Sequence, residues 1–125
     1  MDGRHILIVD DDEATCAVLS LALTSEGYRC RLAHSLAEAL GRLRDGPPPD
    51  LILLDLLLPD ASGELFLQHL ALNAAWSKIP VIIMSAWGKA GEVASSARLE
   101  LLPKPFSLAE AERLVRRHLY PRSSV

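Results

Sequence analysis

Four short aliphatic runs, each ending at a residue able to do chemistry, constrain this chain most. Ile6-Leu7-Ile8-Val9 runs into Asp10-Asp11-Asp12, Leu51-Ile52-Leu53-Leu54 into Asp55, Val81-Ile82-Ile83-Met84 into Ser85-Ala86, and Leu101-Leu102-Pro103 into Lys104-Pro105. Runs of this length bounded by polar or turn residues read as strands buried on both faces, which implies a parallel sheet covered by helices. The ligand site of such a sheet lies beyond the carboxyl ends of its strands. Asp10, Asp11, Asp55, Ser85 and Lys104 are therefore expected along one edge. Carboxylates gathered there repel one another unless a cation lies among them, and a hard divalent ion with oxygen ligands, Mg²⁺ above all, suits that role.

Helical patterns alternate with the strands. Ala14 to Glu26 carries Val18, Leu19, Ala22 and Leu23 as one apolar stripe, and Gly27 is its stop. Leu21 and Ala17 widen the stripe onto the solvated face. Arg29 to Ala33 is a second strand. Ser35 with Glu38, and Ser107 with Glu110, have the capping-box spacing and open two further helices. Gly46-Pro47-Pro48-Pro49-Asp50 is a stiff connector into the central strand. Helices are expected over Gly63 to about Leu72 and over Leu108 to Leu119. Between Ser85 and Lys104 the glycines Gly88 and Gly91 disfavour a helix by roughly 1 kcal/mol each relative to alanine. The helix there, fourth of about five, is expected to be short or irregular. Five strands with right-handed crossovers allow the doubly wound order 2-1-3-4-5.

The 125 residues fit a single domain, 1–125, ending in a short tail at 120–125. No apolar stretch approaches the roughly 20 residues of a membrane span, and no secretory leader opens the chain, so a cytoplasmic location and no membrane partner are expected. A net charge of −3 argues against a direct nucleic-acid surface. The cluster Arg113, Arg116, Arg117 and His118 is read as complementing the end of the last helix. Cys16 and Cys30 lack partners at metal-ligand spacing and receive no role. His5, His34, His69 and His118 show no catalytic or metal spacing.

The segments "ILIVDDDE" (Ile6 to Glu13), "LILLDLLLPDASG" (Leu51 to Gly63), "VIIMSA" (Val81 to Ala86) and "LPKPF" (Leu102 to Phe106) resemble the receiver domains of two-component response regulators, in order and spacing, from about Ile6 to about Leu119. The resemblance implies a flavodoxin-like fold, chemotaxis-regulator-like in size. It implies Asp55 as phosphoacceptor, assisted by Lys104 and Ser85, with Mg²⁺ as cofactor. Asp10, Asp11, Asp55 and the backbone carbonyl of Leu57 would be its ligands. Ala86 would keep the entrance open, and Lys104-Pro105 would be a cis peptide. The donor would be a sensor histidine kinase or a phosphotransfer protein. The downstream effector or output domain is left unnamed, and homodimerisation is left open. Chemistry would be confined to Mg²⁺-dependent self-phosphorylation and autodephosphorylation, without turnover as an enzyme.

Asp12 is read as a helix cap, and Glu13 and Asp60 as surface and loop residues. Three departures bear on output. Leu101 stands where relatives carry Tyr or Phe, the segment after Trp87 looks shortened, and Leu57 and Trp87 are bulky and apolar beside the site. Two other readings stay open. A degenerate receiver would serve only as a protein-docking module. A haloacid-dehalogenase-like phosphatase would use the first aspartate of the Asp10-Asp11-Asp12 run as nucleophile, although Ala14 and the absence of a later acidic pair fit it poorly.

Overall fold

The structure, a computed structural model, describes residues 3–85 and 99–120. Strands and helices alternate as β1 (His5–Val9), α1 (Glu13–Ser25), β2 (Arg29–Ala33), α2 (Leu36–Arg44), β3 (Leu51–Asp55), α3 (Gly63–Ala71), β4 (Val81–Ser85), β5 (Leu99–Pro103) and α4 (Leu108–Leu119). All strand pairs are parallel and the sheet order is β2-β1-β3-β4-β5, as the run pattern predicts. Of the expected helices, the one between Ser85 and Lys104 lies outside the described residues, as do Ala86, Trp87 and the glycines that follow.

The two-residue period of the strands divides the aliphatic runs between two cores. Ile6, Ile8, Leu51, Leu53, Ile82 and Met84 meet Cys16, Leu19 and Leu23 of α1 and Ala111, Leu114, Val115 and Leu119 of α4. Leu7, Val9, Ile52, Leu54, Val81 and Ile83 meet Leu36, Ala39 and Leu43 of α2 and Phe66 and Leu70 of α3. Both faces are covered, so the central runs of β1, β3 and β4 need no polar residue until they emerge at their carboxyl ends. Phe66 is fully buried, and truncating it to alanine is expected to cost about 3–5 kcal/mol.

The buried stripe of α1 is Cys16, Leu19 and Leu23. Val18, expected inside, is 49% exposed, and Leu21 is 75% exposed. Cys16, Leu19 and Leu23 share one face at i, i+3 and i+7, and the helix is capped by Asp12, whose carboxylate accepts from the Ala14 N–H at 3.2 Å and from the Thr15 hydroxyl at 2.6 Å. Gly27 follows the helix with φ +100°, a conformation glycine adopts without strain.

Ser107 and Glu110 form the reciprocal capping box of α4. At α2 the box is not closed. The Ser35 hydroxyl accepts from the Glu38 N–H at 3.1 Å, but the Glu38 carboxylate accepts from His34 N–H at 2.7 Å, one residue before the cap. Strand β2 lies at the sheet edge, where the Leu32 carbonyl accepts from Arg42 Nε at 3.1 Å, which protects that edge against further pairing. The basic cluster of α4 makes tertiary ties: Arg116 pairs with Glu26 at 3.3 Å, and Arg117 and His118 both meet Glu100 of β5. Tyr120 belongs to the folded unit, stacking near Tyr28 with ring centroids 6.4 Å apart and carrying Arg4 over its face at 4.7 Å.

Candidate functional site

Asp10 is the first residue beyond β1, and its N–H continues the ladder to β2 by donating to the Ala33 carbonyl at 3.0 Å. Its side chain is fully buried. Oδ1 accepts from the Asp12 N–H at 2.9 Å and Oδ2 faces Lys104 Nζ at 2.8 Å. Lys104 is held in turn by its own backbone, whose N–H donates to the Ser85 carbonyl at 2.7 Å, one step beyond β5. The Lys104-Pro105 peptide is cis, as expected.

Asp55 ends β3 and is 7% exposed. Its Oδ1 accepts from the Leu57 N–H at 3.1 Å and its Oδ2 lies 3.2 Å from Lys104 Nζ. Burial, with the charge of Asp10 added to it, holds the Asp55 carboxyl above the usual carboxylate range against the opposing Leu57 N–H and Lys104. Burial works against the Lys104 ammonium, yet its hydrogen bond to Asp10 and the charges of Asp10 and Asp55 outweigh that and raise its pKa. Lys104 therefore stays charged between two carboxylates.

Asp11 is exposed at the rim, and one oxygen each from Asp10, Asp11 and Asp55 lie within 4.8 Å of one another. Three carboxylates and one ammonium leave an excess of negative charge in a partly buried pocket, and all available donors are oxygens. That donor set suits a hard divalent cation such as Mg²⁺. Ser85 is buried at the end of β4, one step past Met84, which pairs with Asp55. Leu57, two residues beyond Asp55, is 63% exposed and pairs with Ser62 in an isolated antiparallel bridge. All the expected site residues thus lie at the carboxyl edge of the sheet.

Sequence reasoning missed three residues here. Cys16, given no role, donates its S–H to the Asp10 carbonyl at 3.2 Å. Burial first, then the charges of Asp10 and Asp12, push its thiol up to about 12, so it is an inert donor and no nucleophile. The same carbonyl lies 3.0 Å from His34 Nδ1, and because a carbonyl can only accept, Nδ1 carries the proton. Asp60, read as a loop residue, accepts from the Leu36 N–H at 2.8 Å and the Ala37 N–H at 3.0 Å, capping α2 from another loop. No spacing in the sequence announces contacts to main-chain groups 24 positions away.

An open apolar groove of about 670 Å³ adjoins Lys104, lined by Thr15, Val18 and Leu19 of α1 and by Pro105, Phe106 and Leu108. It gives the exposure of Val18 a context: the α1 face beside the site is built as a surface, and the helix buries its other side.

Comparison with known proteins decides among the readings of this edge. The family model of the response regulator receiver domain matches residues 6–116. The chain is a response regulator receiver domain. It is 34% identical over 115 residues to the KDP operon transcriptional regulatory protein KdpE of Escherichia coli, covering 90% of this chain and 49% of that protein. To the phosphate regulon transcriptional regulatory protein PhoB of Pseudomonas aeruginosa it is 34% identical, covering 88% of this chain and 49% of that one. The receiver thus spans about half the length of the curated relatives it matches. Among solved structures, a two-component response regulator from Clostridium difficile superposes with a TM-score of 0.84 at 25% identity, covering 97% of this chain and 99% of that one. The non-phosphorylated HemR receiver domain from Leptospira biflexa superposes at 0.79 and 28% identity, with 98% of each chain covered. As a receiver it has the phosphoacceptor role of a two-component system, which replaces the haloacid-dehalogenase-like alternative. Among the described residues no helix is long and apolar enough to cross a membrane.

Proposed function

We propose that Asp55 is the phosphoacceptor and that Asp10, Asp11, Asp55 and the main-chain carbonyl of Leu57 hold Mg²⁺ beside it. The observation that carries this reading is Lys104 Nζ at 2.8 Å from Asp10 and 3.2 Å from Asp55, with Asp11 completing the carboxylate cluster. Bound Mg²⁺ would supply positive charge against the phosphoryl oxygens. An Asp55 carboxylate oxygen forms the new P–O bond while the donor's P–N bond breaks and its imidazole nitrogen leaves with the electron pair. Lys104, already positioned and charged, then pairs with the phosphoryl group as well as with Asp10. The Ser85 hydroxyl contributes a donor from the neighbouring strand end. Carboxyl burial serves this chemistry, because a desolvated carboxylate is a better nucleophile than a hydrated one.

The donor is a phosphohistidine on a sensor kinase or phosphotransfer protein. Its docking surface is the groove between α1 and the segment Pro105 to Leu108, where Val18 offers exposed apolar area and which Lys104 also lines. The protein acts in the cytoplasm, where such a donor presents its histidine. Its catalytic part is limited to taking up and losing its own phosphoryl group. The curated relatives are transcriptional regulatory proteins about twice as long, so an effector domain or separate effector protein receives the signal here too. Leu101, partly buried against the α2 and α3 side of the sheet, lacks the aromatic ring that relatives use as a rotamer switch, so output runs through other contacts.

Mass spectrometry after treatment with acetyl phosphate and Mg²⁺ tests the assignment. One phosphoryl adduct is expected in the wild type and none in Asp55→Ala or in EDTA. An equal adduct in Asp55→Ala would overturn it, and complete failure of the wild type to react would favour the docking-module reading.

A further inference from the structure

The loop from Leu56 to Ser62 begins at Asp55 and is fastened at both ends. Its neck is closed by the Gly63 N–H, which donates to the Leu56 carbonyl at 2.7 Å, and by the bridge between Leu57 and Ser62. A side chain at Gly63 has no room, because a Cβ there would sit 2.7 Å from Leu56 Cα. Its tip is fastened by Asp60, which spans to the first turn of α2 and satisfies the N–H groups of Leu36 and Ala37 with one oxygen each. Ser35 takes the next N–H, that of Glu38, so each of these three N–H groups at the start of α2 has a side-chain acceptor.

The entry to α2 touches the site a second time. His34 Nδ1 donates to the Asp10 carbonyl at 3.0 Å. The contacts close a ring: Asp10 to His34, along the chain to Leu36 and Ala37, across to Asp60, back through the loop to Leu57, from its N–H to Asp55 at 3.1 Å, and through Lys104 to Asp10 again. Two of the three carboxylates of the cation site, Asp10 and Asp55, lie in this ring, and so does the main chain of Leu57. The ring's links are four strand ends, a pinned loop, one helical turn and the Lys104 side chain. A loop held only at its neck would leave the stretch between Leu57 and Ser62 hanging from that bridge alone, and a ligand at the site would have to supply the rest of the ordering.

We infer that Asp60 is a positioning residue for the cation site, clamping the loop after the acceptor aspartate onto the N-terminus of α2 so that cation binding and order in the first turn of α2 are coupled. This rests on the proposed role of Asp10, Asp11, Asp55 and Leu57 as Mg²⁺ ligands. Coupling is reciprocal: if an ordered α2 turn favours the cation, the cation orders that turn by the same factor. Asp60 touches neither substrate nor ion and acts through the main chain alone.

Two measurements on the whole chain test the inference: Mg²⁺ affinity by calorimetry, and amide hydrogen exchange at Leu36 and Ala37 with and without Mg²⁺. Asp60→Ala is expected to weaken Mg²⁺ binding about 5-fold or more and to abolish the Mg²⁺-dependent protection of both amides. Asp60→Asn, which keeps one acceptor oxygen, should fall between, and it replaces the alanine variant should that one not fold. Ser35→Ala removes another cap of the same helix without touching the loop, and should lower the melting temperature while weakening Mg²⁺ binding less than Asp60→Ala does. Wild-type affinity in folded Asp60→Ala, or equal weakening in Ser35→Ala, overturns the clamp while leaving the cation site standing. Absence of Mg²⁺ binding by the wild type overturns the cation site itself, and the clamp with it.

Discussion

Lys104 Nζ lies 3.2 Å from Asp55 Oδ2, close enough to pair but longer than its 2.8 Å contact with Asp10. The lysine is thus held chiefly by the fully buried Asp10, and it can keep that partner while a phosphoryl group takes the Asp55 side. Removing it leaves a buried carboxylate unpaired. Lys104→Ala is expected to destabilise the fold by about 1–3 kcal/mol and to slow uptake of phosphoryl from acetyl phosphate. Because Lys104 also screens Asp55 from Asp10, adding Asp55→Asn should recover part of the lost stability. Urea titrations of the two single variants and the double variant measure that coupling, and strict additivity would contradict it.

The Asp55 carboxyl, raised above its ordinary 3.8 chiefly by burial, also sets a stability prediction. A group with a raised folded pKa destabilises the native state when ionised, and this cost fades as pH falls through its folded pKa toward the unfolded value. Asp55→Asn should therefore raise the melting temperature of the metal-free protein at pH 7, and its advantage should shrink as pH is lowered toward 4. Mg²⁺ at ten times its Kd should stabilise the wild type by about 1.4 kcal/mol, roughly 5 °C, and the Asn variant by less. A scan of melting temperature against pH and Mg²⁺ gives both results.

Helix caps make the opposite contribution. Asp12, Asp60 and Glu110 all have carboxyls held below their ordinary range: Asp12 first by the Thr15 hydroxyl, Asp60 by the Leu36 and Ala37 N–H groups, and Glu110 by the Ser107 N–H. Their stabilisation is complete above the ordinary values of 3.8 and 4.5 and is lost as pH falls through the lower folded pKa values. Acid unfolding below about pH 4 should thus be shallower in Asp60→Asn than in the wild type. Equal acid limbs, followed by circular dichroism, would show that this cap carries no such linkage.

How far the sequence foretold these features depends on who the partner is. The central strands were legible because a doubly covered sheet demands aliphatic residues on both faces, and Ile6 to Val9 or Leu51 to Leu54 leave no other reading. Asp10, Asp55 and Lys104 followed, since chemistry collects where those runs stop. Val18 misled because a weakly amphipathic helix lets its apolar stripe be read to one side of the true one, with Leu19 and Leu23 common to both. The basic cluster of α4 was assigned to the helix end, yet Arg116 and His118 are matched by Glu26 and Glu100 on other elements. His34, Cys16 and Asp60 stayed hidden for a different reason. Their partners are backbone atoms, which every residue has, so no pattern of side chains marks the pairing.

The lifetime of the phosphorylated state supplies the last prediction. Hydrolysis needs a water in line with the phosphorus, opposite the Asp55 oxygen that leaves. Leu57 stands two residues beyond Asp55 at the mouth of the site, and its side chain is 63% exposed, so it can cover the approach without being fixed in the core. A leucine has no hydrogen-bonding atom with which to orient a water, and it narrows the path one would take. Trp87, two residues beyond Ser85 in the sequence, lies outside the described residues, and its indole can donate a hydrogen bond but not accept one from a water. The phosphorylated protein is therefore expected to decay slowly, suited to a sustained response. Leu57→Asn with Trp87→Glu should accelerate autodephosphorylation ~10-fold, about 1.4 kcal/mol of barrier, and Leu57→Asn alone should give a smaller part of that gain. Decay of the adduct in Mg²⁺, followed for the wild type and both variants after removal of acetyl phosphate, reads the effect directly. Equal decay in all three would mean that the water reaches the phosphorus past these side chains unhindered, and that the barrier is set by Lys104 and the cation site alone.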